Sequence, residues 1–423
     1  MLTLLTATQF PAQVLTLDNG LTLIHQEIPA TPVVVVDVWV RAGSAQEPEP
    51  WSGMAHFLEH MIFKGTDRVA PGVFDQVIES RGGVANAATS HDYAHFYIET
   101  ASQHLDDTLP TLAEILLNAS ISETEFLRER DVVFEEIHQA QDSIDWVEFQ
   151  TLMETTYEHH PYGRSVLGTK ASLIGRSPDE MRCFHRCHYQ PGNMAVVVVG
   201  GVEQQRAIDL VSKAFASFPR AELCPQMITA PQAPHFGIRR AQRYLPQLEQ
   251  TRLSMAWTGP GVEQLRVGYG LDLLSVLLAE GRTSRLIQTL REELQLVHHI
   301  DSSFSLQRES SLFTISALLE PQHLNTVEAM ICDRLYELQT QPISTQELKR
   351  VQRLLCNDYS FSTETPAQIA GLYGYYFTIA QPEISVTYPD QIQSFQPRAL
   401  QQLAQQYLDP QNYAVTVLQP AEK

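Results

Sequence analysis

The stretch Gly-Met-Ala-His-Phe-Leu-Glu-His-Met-Ile-Phe-Lys-Gly-Thr occupies residues 53–66. Its apolar residues recur at helical spacing and predict a core-facing stripe, while His56 and His60, four residues apart, project together from another face. Two imidazoles one helical turn apart can hold one metal ion, and Glu59 beside them can take a proton from water that the ion activates. The alternative is a pair of ordinary, partly buried histidines. The glutamate between them favours a metal site.

The His-x-x-Glu-His order is an inverted zincin arrangement, and a catalytic zinc needs a third protein ligand. An acidic helix offers candidates: Ser122-Glu-Thr-Glu125 has the pattern of a capping box, and apolar residues follow it at helical spacing. Glu129 and Glu136 are seven residues apart on this helix, which places both carboxylates on one face about 10 Å apart. One can reach the metal while the other braces a ligand or the base. The alternative for each glutamate is a solvated surface carboxylate.

Taken together, these residues resemble the pitrilysin family of inverted zincins. The resemblance rests on Gly53-x-x-His56-x-x-Glu59-His60-x-x-Phe63-x-Gly65-Thr66 and on Glu136, 76 residues after His60. Further landmarks occur at Gly82-Gly-x-x-Asn86-Ala-x-Thr89, His160-Pro-Tyr-Gly163 and Gly168-Thr169. The length is similar to subunits of mitochondrial processing peptidase and to short bacterial processing-type peptidases. The match covers most of the first half of the chain and is much vaguer in the second half.

The resemblance implies roles for individual residues. His56, His60 and Glu136 would bind one zinc ion per chain, Glu59 would be the general base, and Glu129 would be an accessory carboxylate. The implied activity is endopeptidase hydrolysis of unfolded peptides or targeting-type presequences, without a covalent intermediate. The alternatives are a non-catalytic assembly subunit and a peptide-binding protein of the same fold.

Residues of the strand after Gly82 resemble the family's edge strand, onto which an extended peptide is added. These residues are Asn86, Ala87, Ala88 and Thr89, and the small alanine side chains let a substrate backbone approach closely. The alternative is an ordinary strand whose small residues pack under a helix.

In the second half, many family members place an Arg and, seven residues later, a Tyr that bind substrate near the zinc. This chain keeps Arg291 but has His298 where the Tyr is expected. Because processing-type members divide labour between subunits, His298 raises the hypothesis of a heterodimer with a related subunit that supplies the Arg/Tyr pair. The alternatives are a homodimer in which the imidazole replaces the Tyr as a hydrogen-bond donor, and a purely surface role for Arg291.

The chain also repeats a short pattern. Residues 191–198 (Pro-Gly-Asn-Met-Ala-Val-Val-Val) are similar to residues 410–417 (Pro-Gln-Asn-Tyr-Ala-Val-Thr-Val), an offset of 219 in a chain of 423. This predicts an α+β fold of two similar lobes, each a mostly antiparallel sheet packed with helices, as the family resemblance also implies. The predicted divisions are a catalytic lobe at 1–218, a proline-rich linker at 219–249 and a second lobe at 250–423 that forms the substrate chamber and dimer contacts.

Strands are predicted around Val14–Glu27 and Val33–Ala42, followed by a strand that starts at a glycine within Gly82–Thr100. These predictions belong to the first lobe. The second lobe is expected to begin with a strand at Thr251–Trp257.

The composition excludes some partners. With 29 Lys+Arg against 49 Asp+Glu, the formal net charge is −20, so nucleic acid and anionic membranes would be repelled. Residues 101–150 carry 2 basic and 12 acidic side chains, which is typical of a solvated helix face or of an acidic chamber for cationic peptides.

The Cys residues are scattered and odd in number, Cys183, Cys187, Cys224, Cys332 and Cys356, and neither a signal peptide nor a bilayer-spanning run is recognised. A reducing, cytoplasmic location is therefore predicted. The cluster Cys183-Phe-His185-Arg-Cys187-His188 is interpreted as structural thiols with flanking histidines, and no second zinc is expected. Ala279–Arg285 lacks a phosphate-binding glycine pattern, so nucleotide binding is not indicated.

Overall fold

The computed structural model describes residues 10–225 and 237–421, so residues 226–236 of the predicted linker lie outside the described residues. The chain divides into two compact units. Unit 1 comprises the described parts of Met1–Ala140, Arg164–Ile228 and Ser362–Val386, and unit 2 comprises those of Gln141–Gly163, Thr229–Phe361 and Thr387–Lys423.

Each unit contains one mixed β-sheet. In unit 1 the strands are β1 (Gln13–Thr16), β2 (Thr22–Glu27), β3 (Val33–Val40), β4 (Val84–Thr89), β5 (Ala94–Ala101) and β6 (Met194–Gly200), in the order β1-β2-β6-β3-β5-β4. In unit 2 they are β7 (Ile238–Leu245), β8 (Thr251–Pro260), β9 (Val297–Leu306), β10 (Ser310–Leu319) and β11 (Tyr413–Pro420), in the order β7-β11-β8-β10-β9.

Helices surround both sheets. Up to residue 214 they are α1 (Met54–Ile62), α2 (Val73–Glu79), α3 (Leu105–Asn118), α4 (Glu123–Asp142), α5 (Ile144–Thr156), α6 (Lys170–Ile174), α7 (Pro178–His188) and α8 (Gln204–Ala214). The later helices are α9 (Leu265–Ala279), α10 (Leu324–Thr340), α11 (Thr345–Phe361), α12 (Pro366–Ile379), α13 (Tyr388–Gln393) and α14 (Pro397–Tyr407), with a π-helical segment at Ile287–Glu293.

Apart from the extra strand β1 in unit 1, the two sheets share one strand order, which confirms the prediction of two similar α+β lobes. Strand β6 pairs parallel with β2 and antiparallel with β3. Strand β11, which contains the repeated sequence pattern, pairs parallel with β7 and antiparallel with β8 in the same way. In each unit a helix follows the strand at the centre of the sheet, α1 after β3 and α9 after β8. Helix α1 therefore has its topological counterpart in α9.

Both faces of the unit 1 sheet are buried, as its uninterrupted valine runs predict. On β3, Val34, Val36 and Val38 face one apolar core, while Val35 and Trp39 face another. The first core includes α1, α3 and α7, and the second is covered by Ile369, Ala370 and other apolar residues of α12. A sheet buried on both faces gives α1 a rigid support.

Each unit includes one segment from the other half of the sequence. Helix α5 packs on β8 and β11 of unit 2, and α12 packs on β3 and β6 of unit 1. Polar contacts hold α5 in place: Glu148 accepts hydrogen bonds from Ser254 Oγ at 2.6 Å and from Arg252 Nη1 at 2.9 Å. This grouping differs from the predicted divisions at 1–218 and 250–423, because the apolar stripe of a helix does not say which sheet it covers.

Two predicted strands are hairpins. Val14–Glu27 contains β1 and β2, which pair antiparallel around a turn at Gly20. Gly82–Thr100 contains β4 and β5, separated by the turn from Ser90 to Tyr93. Among the described residues, no helix combines the length and apolar character needed to cross a membrane.

Replacing Gly374 of α12 with Ala is expected to destabilise the protein, because a Cβ at this position would lie 2.0 Å from Trp39 Nε1. Overpacking of this kind costs about 1–3 kcal/mol. Gly371 lies on the same helix, and a Cβ there would meet open space. Gly371→Ala should therefore stabilise the helix by about 0.5–1 kcal/mol. Thermal unfolding midpoints that shift in the same direction for both variants would contradict this packing.

Candidate metal centre

Helix α1 carries the two histidines, and its start is fixed by a buried carboxylate. Glu47 accepts hydrogen bonds from the backbone N–H groups of Gly53 at 2.8 Å and Ala55 at 2.7 Å. Full burial raises the pKa of Glu47 to about 8, against the opposing effect of these N–H groups. Gly53 has φ 91°, and a Cβ there would lie 2.6 Å from the carbonyl oxygen of Leu167. Only glycine fits this turn into the helix.

Helix α4 supplies the two glutamates. Phe126, Val133 and Ile137 are buried and form its core stripe, as predicted. Ser122 Oγ accepts a hydrogen bond from the backbone N–H of Glu125 at 3.4 Å, which is one half of the predicted capping box. With the helix oriented by this stripe, Glu129 and Glu136 both reach α1.

His56, His60 and Glu136 converge. Each contributes one ligand atom, and these atoms all lie within 4.8 Å of one another. Glu136 Oε2 is 3.5 Å from His56 Nε2 and 3.3 Å from His60 Nε2. Nitrogen and oxygen ligands of a tetrahedral zinc, with bonds of about 2.0–2.2 Å, lie about 3.3–3.6 Å apart. Both measured distances match that spacing.

The donor set is also chemically suited to a cation. Glu136 Oε2 is buried and has no hydrogen-bond partner among the described residues, although two imidazole nitrogens face it. The imidazoles of His56 and His60 hold the pKa of Glu136 well below its usual range, so the carboxylate is ionised. Two imidazoles and one carboxylate with an unpaired buried oxygen fit a zinc ion.

Glu129 lies behind His60. Its Oε1 is 3.0 Å from His60 Nδ1, and its Oε2 is 2.8 Å from Lys64 Nζ. When His60 Nδ1–H donates a hydrogen bond to Glu129, the lone pair of the neutral ring lies on Nε2. That lone pair points to Glu136 and is free to bind a metal. Burial lowers the pKa of His60, but the carboxylates of Glu136 and Glu129 outweigh it and leave that pKa above its usual value.

Glu59 lies on α1, as His56 and His60 do, but it is not one of the three residues whose ligand atoms converge. Its Oε2 accepts a hydrogen bond from Thr89 Oγ1 at 2.6 Å. Thr89 is the last residue of β4, so the edge strand and the glutamate are joined directly. One carboxylate oxygen is thereby oriented while the other stays available to accept a proton.

The remaining predicted site residues fall in both units. Strand β4 lies at one edge of its sheet, with Asn86 and Ala88 exposed and Ala87 packed against the core. Arg291 and His298 belong to unit 2. Arg291 forms an ion pair with Glu292 at 2.8 Å, and His298 Nε2 is 3.0 Å from Glu320 Oε1.

Two residues that support this centre were not predicted from the sequence. Lys64 follows His60 by four positions, so helical spacing alone could have placed it near Glu129. Glu47 had no such signal, because its contact depends on the fold of the segment before α1. Its role in fixing the helix is visible only in three dimensions.

Comparison with known proteins identifies relatives over almost the whole chain. The family model "Insulinase (Peptidase family M16)" matches residues 22–170, and "Peptidase M16 inactive domain" matches residues 177–355. The two matches together span more than half of the chain. The first contains the converging histidines and Glu136, and the second lies beyond them.

Curated relatives are named as zinc proteases. "Zinc protease PqqE" of Helicobacter pylori is 29% identical over 96% of this chain and 92% of its own length. "Uncharacterized zinc protease YmxG" of Bacillus subtilis is 28% identical over 83% of this chain and 84% of its own. A probable mitochondrial-processing peptidase subunit beta of Arabidopsis thaliana is 29% identical over 60% of this chain and 49% of its own.

Solved structures agree on the fold. A Helicobacter pylori protease matches with a TM-score of 0.89 and 27% identity, covering 97% of this chain and 99% of that chain. Pitrilysin matches with a TM-score of 0.81 and 21% identity, covering 99% of this chain and 46% of that chain. The resemblance stated from the motifs is confirmed.

Proposed function

The chain belongs to the peptidase M16 family, and from that premise we propose that it is a zinc-dependent endopeptidase. His56, His60 and Glu136 would hold the catalytic zinc, and Glu59 would act as general base. The observation that carries the proposal is the convergence of two imidazole nitrogens on the unpaired carboxylate oxygen of Glu136. The related zinc proteases support the same activity.

The chemistry divides between the ion and the protein. Bound at this centre, zinc would polarise the scissile carbonyl and lower the pKa of the attacking water. Glu59 takes a proton from that water and returns it to the leaving amine. The hydrogen bond from Thr89 keeps the Glu59 side chain in place, and no nucleophilic side chain is required.

Strand β4 supports a mode of substrate binding. Among the described strands it pairs only with β5, and the small side chains at Ala87 and Ala88 leave space for an extended peptide. The Ala87 N–H donates to Asn86 Oδ1 at 2.9 Å, a contact that a bound peptide would replace. Its last residue contacts Glu59, so a peptide added to this edge runs toward the base. Unfolded peptides or targeting-type presequences fit such a site, and the net charge of −20 favours cationic ones.

The alternative is a non-catalytic assembly or peptide-binding role. The match of residues 177–355 to the M16 inactive domain is the observation that favours this alternative. The matched region does not include α1. It includes α9 (LRVGYGLDLLSVLLA), the topological counterpart of α1, which lacks the His-x-x-Glu-His pattern. A structural subunit has no need for the base, so the intact set on α1 favours the enzyme.

Subunit composition remains part of the proposal. His298 in place of the expected Tyr favours a heterodimer with a related subunit, against a homodimer in which His298 acts itself. A cytoplasmic location likewise stays a prediction. The substrate-binding roles of Asn86, Arg291 and His298 are part of the same proposal.

The test is hydrolysis of quenched peptides by the pure chain, alone and with candidate partner subunits, before and after chelation and zinc re-addition. Chelator-sensitive cleavage that zinc restores is expected. Cleavage that needs a partner would support divided labour, whereas full activity of the chain alone would overturn it. If no pairing shows chelator-sensitive cleavage, the assignment as an enzyme is wrong.

Glu129→Gln should weaken zinc binding by about 10–100-fold, because it removes the charge that orients His60 through Nδ1. Glu125→Gln is the matched control: Glu125 lies one turn earlier on α4 and pairs with Arg128 at 2.9 Å, away from the histidines. Competition with a chromophoric chelator gives both affinities. Unchanged affinity in Glu129→Gln would show that the carboxylate does not support the ligand.

A further inference from the structure

A second group of metal-binding side chains lies in unit 1, where the C-terminal end of α7 meets the segment 219–225. Cys187 and His188 are at the end of the helix, and Cys224 comes from the segment. Their ligand atoms all lie within 4.8 Å of one another. Cys224 is 37 residues beyond Cys187, so only the fold brings the three together.

The spacing fits tetrahedral coordination. Cys224 Sγ lies 3.8 Å from His188 Nε2. With zinc–sulfur bonds of about 2.3 Å and zinc–nitrogen bonds of about 2.0–2.1 Å, a sulfur and a nitrogen ligand lie about 3.6 Å apart. A displacement of a few tenths of an ångström would therefore bring these atoms to bonding positions.

Packing fixes the imidazole of His188. Phe184 packs on it with ring centroids 4.4 Å apart, and its Nε2 is the atom that lies 3.8 Å from Cys224 Sγ. A metal that binds here would displace the thiol protons.

Cys183 is a candidate fourth donor. It precedes Cys187 by one helical turn, but it lies outside the group of three whose ligand atoms converge, and its Sγ donates to the Leu223 carbonyl oxygen at 3.6 Å. A side-chain movement that exchanges this contact for the metal would complete a Cys₃His set, which is a structural zinc arrangement.

The segment that carries Cys224 is held against α7 by other contacts as well. Arg186 forms an ion pair with Glu222 at 2.6 Å, and the Gln190 side-chain amide donates to the Pro219 carbonyl oxygen at 3.1 Å. These contacts place the donors without a metal. A bound ion would lock residues 219–225, the start of the predicted linker, onto α7.

We propose that Cys187, His188 and Cys224 bind a second, structural zinc ion, with Cys183 as the candidate fourth ligand. This replaces the expectation of one zinc per chain, which treated the Cys183–His188 cluster as simple buried thiols and could not include Cys224. The proposal stands apart from the proposed function, because it uses none of the α1 and α4 residues.

Metal analysis of the full-length chain, purified under reducing conditions with zinc and then desalted, tests the proposal. We expect two zinc ions per chain, and one after Cys224→Ser or Cys187→Ser. The matched controls are Cys332→Ser and Cys356→Ser, whose thiols lie in unit 2, and both should keep two. A zinc content in Cys224→Ser equal to that of the unmodified chain would overturn the proposal.

Cobalt substitution keeps the test decisive if the Cys variants fail to fold. Glu136→Ala removes only the proposed catalytic ligand, so this variant should still bind one cobalt ion with thiolate-to-cobalt charge-transfer absorption. Absence of that absorption in Glu136→Ala would overturn the second site. A Cys187–Cys224 disulfide in freshly isolated protein, found by mass spectrometry without reductant, would also overturn it in favour of a redox pair.

Discussion

Glu59→Gln is expected to reduce peptide hydrolysis by about 10²–10⁴-fold while leaving the zinc content unchanged. The amide has the size of the carboxylate and can still accept the hydrogen bond from Thr89 Oγ1, which is 2.6 Å from Glu59 Oε2. It cannot accept a proton from the attacking water. The loss should therefore appear in kcat, with little change in KM.

Glu79→Gln provides the control for Glu59→Gln. Glu79 is the exposed last residue of α2 and should tolerate the change without loss of activity. Steady-state kinetics and metal analysis of both variants decide the matter. Full activity in Glu59→Gln would show that Glu59 is not the base. Loss of both zinc and activity would indicate that Glu59 is a ligand instead.

The sequence predicted the parts of the site that depend on helical periodicity. The four-residue spacing of His56 and His60 places both on one face of α1, and the seven-residue spacing of Glu129 and Glu136 does the same on α4. Because both helices have clear apolar stripes, their orientation followed from the same pattern. What spacing could not decide was the role of each glutamate, which was left to the resemblance.

Contacts between distant segments were beyond the sequence. The hydrogen bond between Thr89 and Glu59 joins a strand end to a helix, and no periodic pattern predicts it. The exchange of α5 and α12 was missed for a similar reason: an amphipathic helix needs an apolar surface, but its stripe does not identify which sheet provides it. Cys224 joins His188 only because the segment 219–225 folds back on α7.

Helices α1 and α9 occupy equivalent places after the central strands β3 and β8, but only α1 carries the histidines. Helix α9 is instead rich in buried leucines, including Leu273, Leu274 and Leu278. One architecture thus supports a helix with the proposed metal ligands in unit 1 and an apolar core helix in unit 2, so the proposed chemistry depends on a few side chains and not on the fold.

Glu136→Ala should lower zinc affinity at the catalytic centre by more than about 100-fold, because loss of an outer carboxylate already costs 10–100-fold and Glu136 faces the ligand position directly. Its neighbour Glu135 is exposed on α4, so Glu135→Ala changes the same charge and helix without touching the histidines. Zinc titration of both variants, with circular dichroism to check folding, gives the comparison. Glu136 is a ligand only if its variant alone loses both zinc at this centre and peptide hydrolysis. If Glu135→Ala loses as much zinc affinity and peptide hydrolysis, the effect comes from the charge of the helix and the assignment of Glu136 as a ligand is wrong.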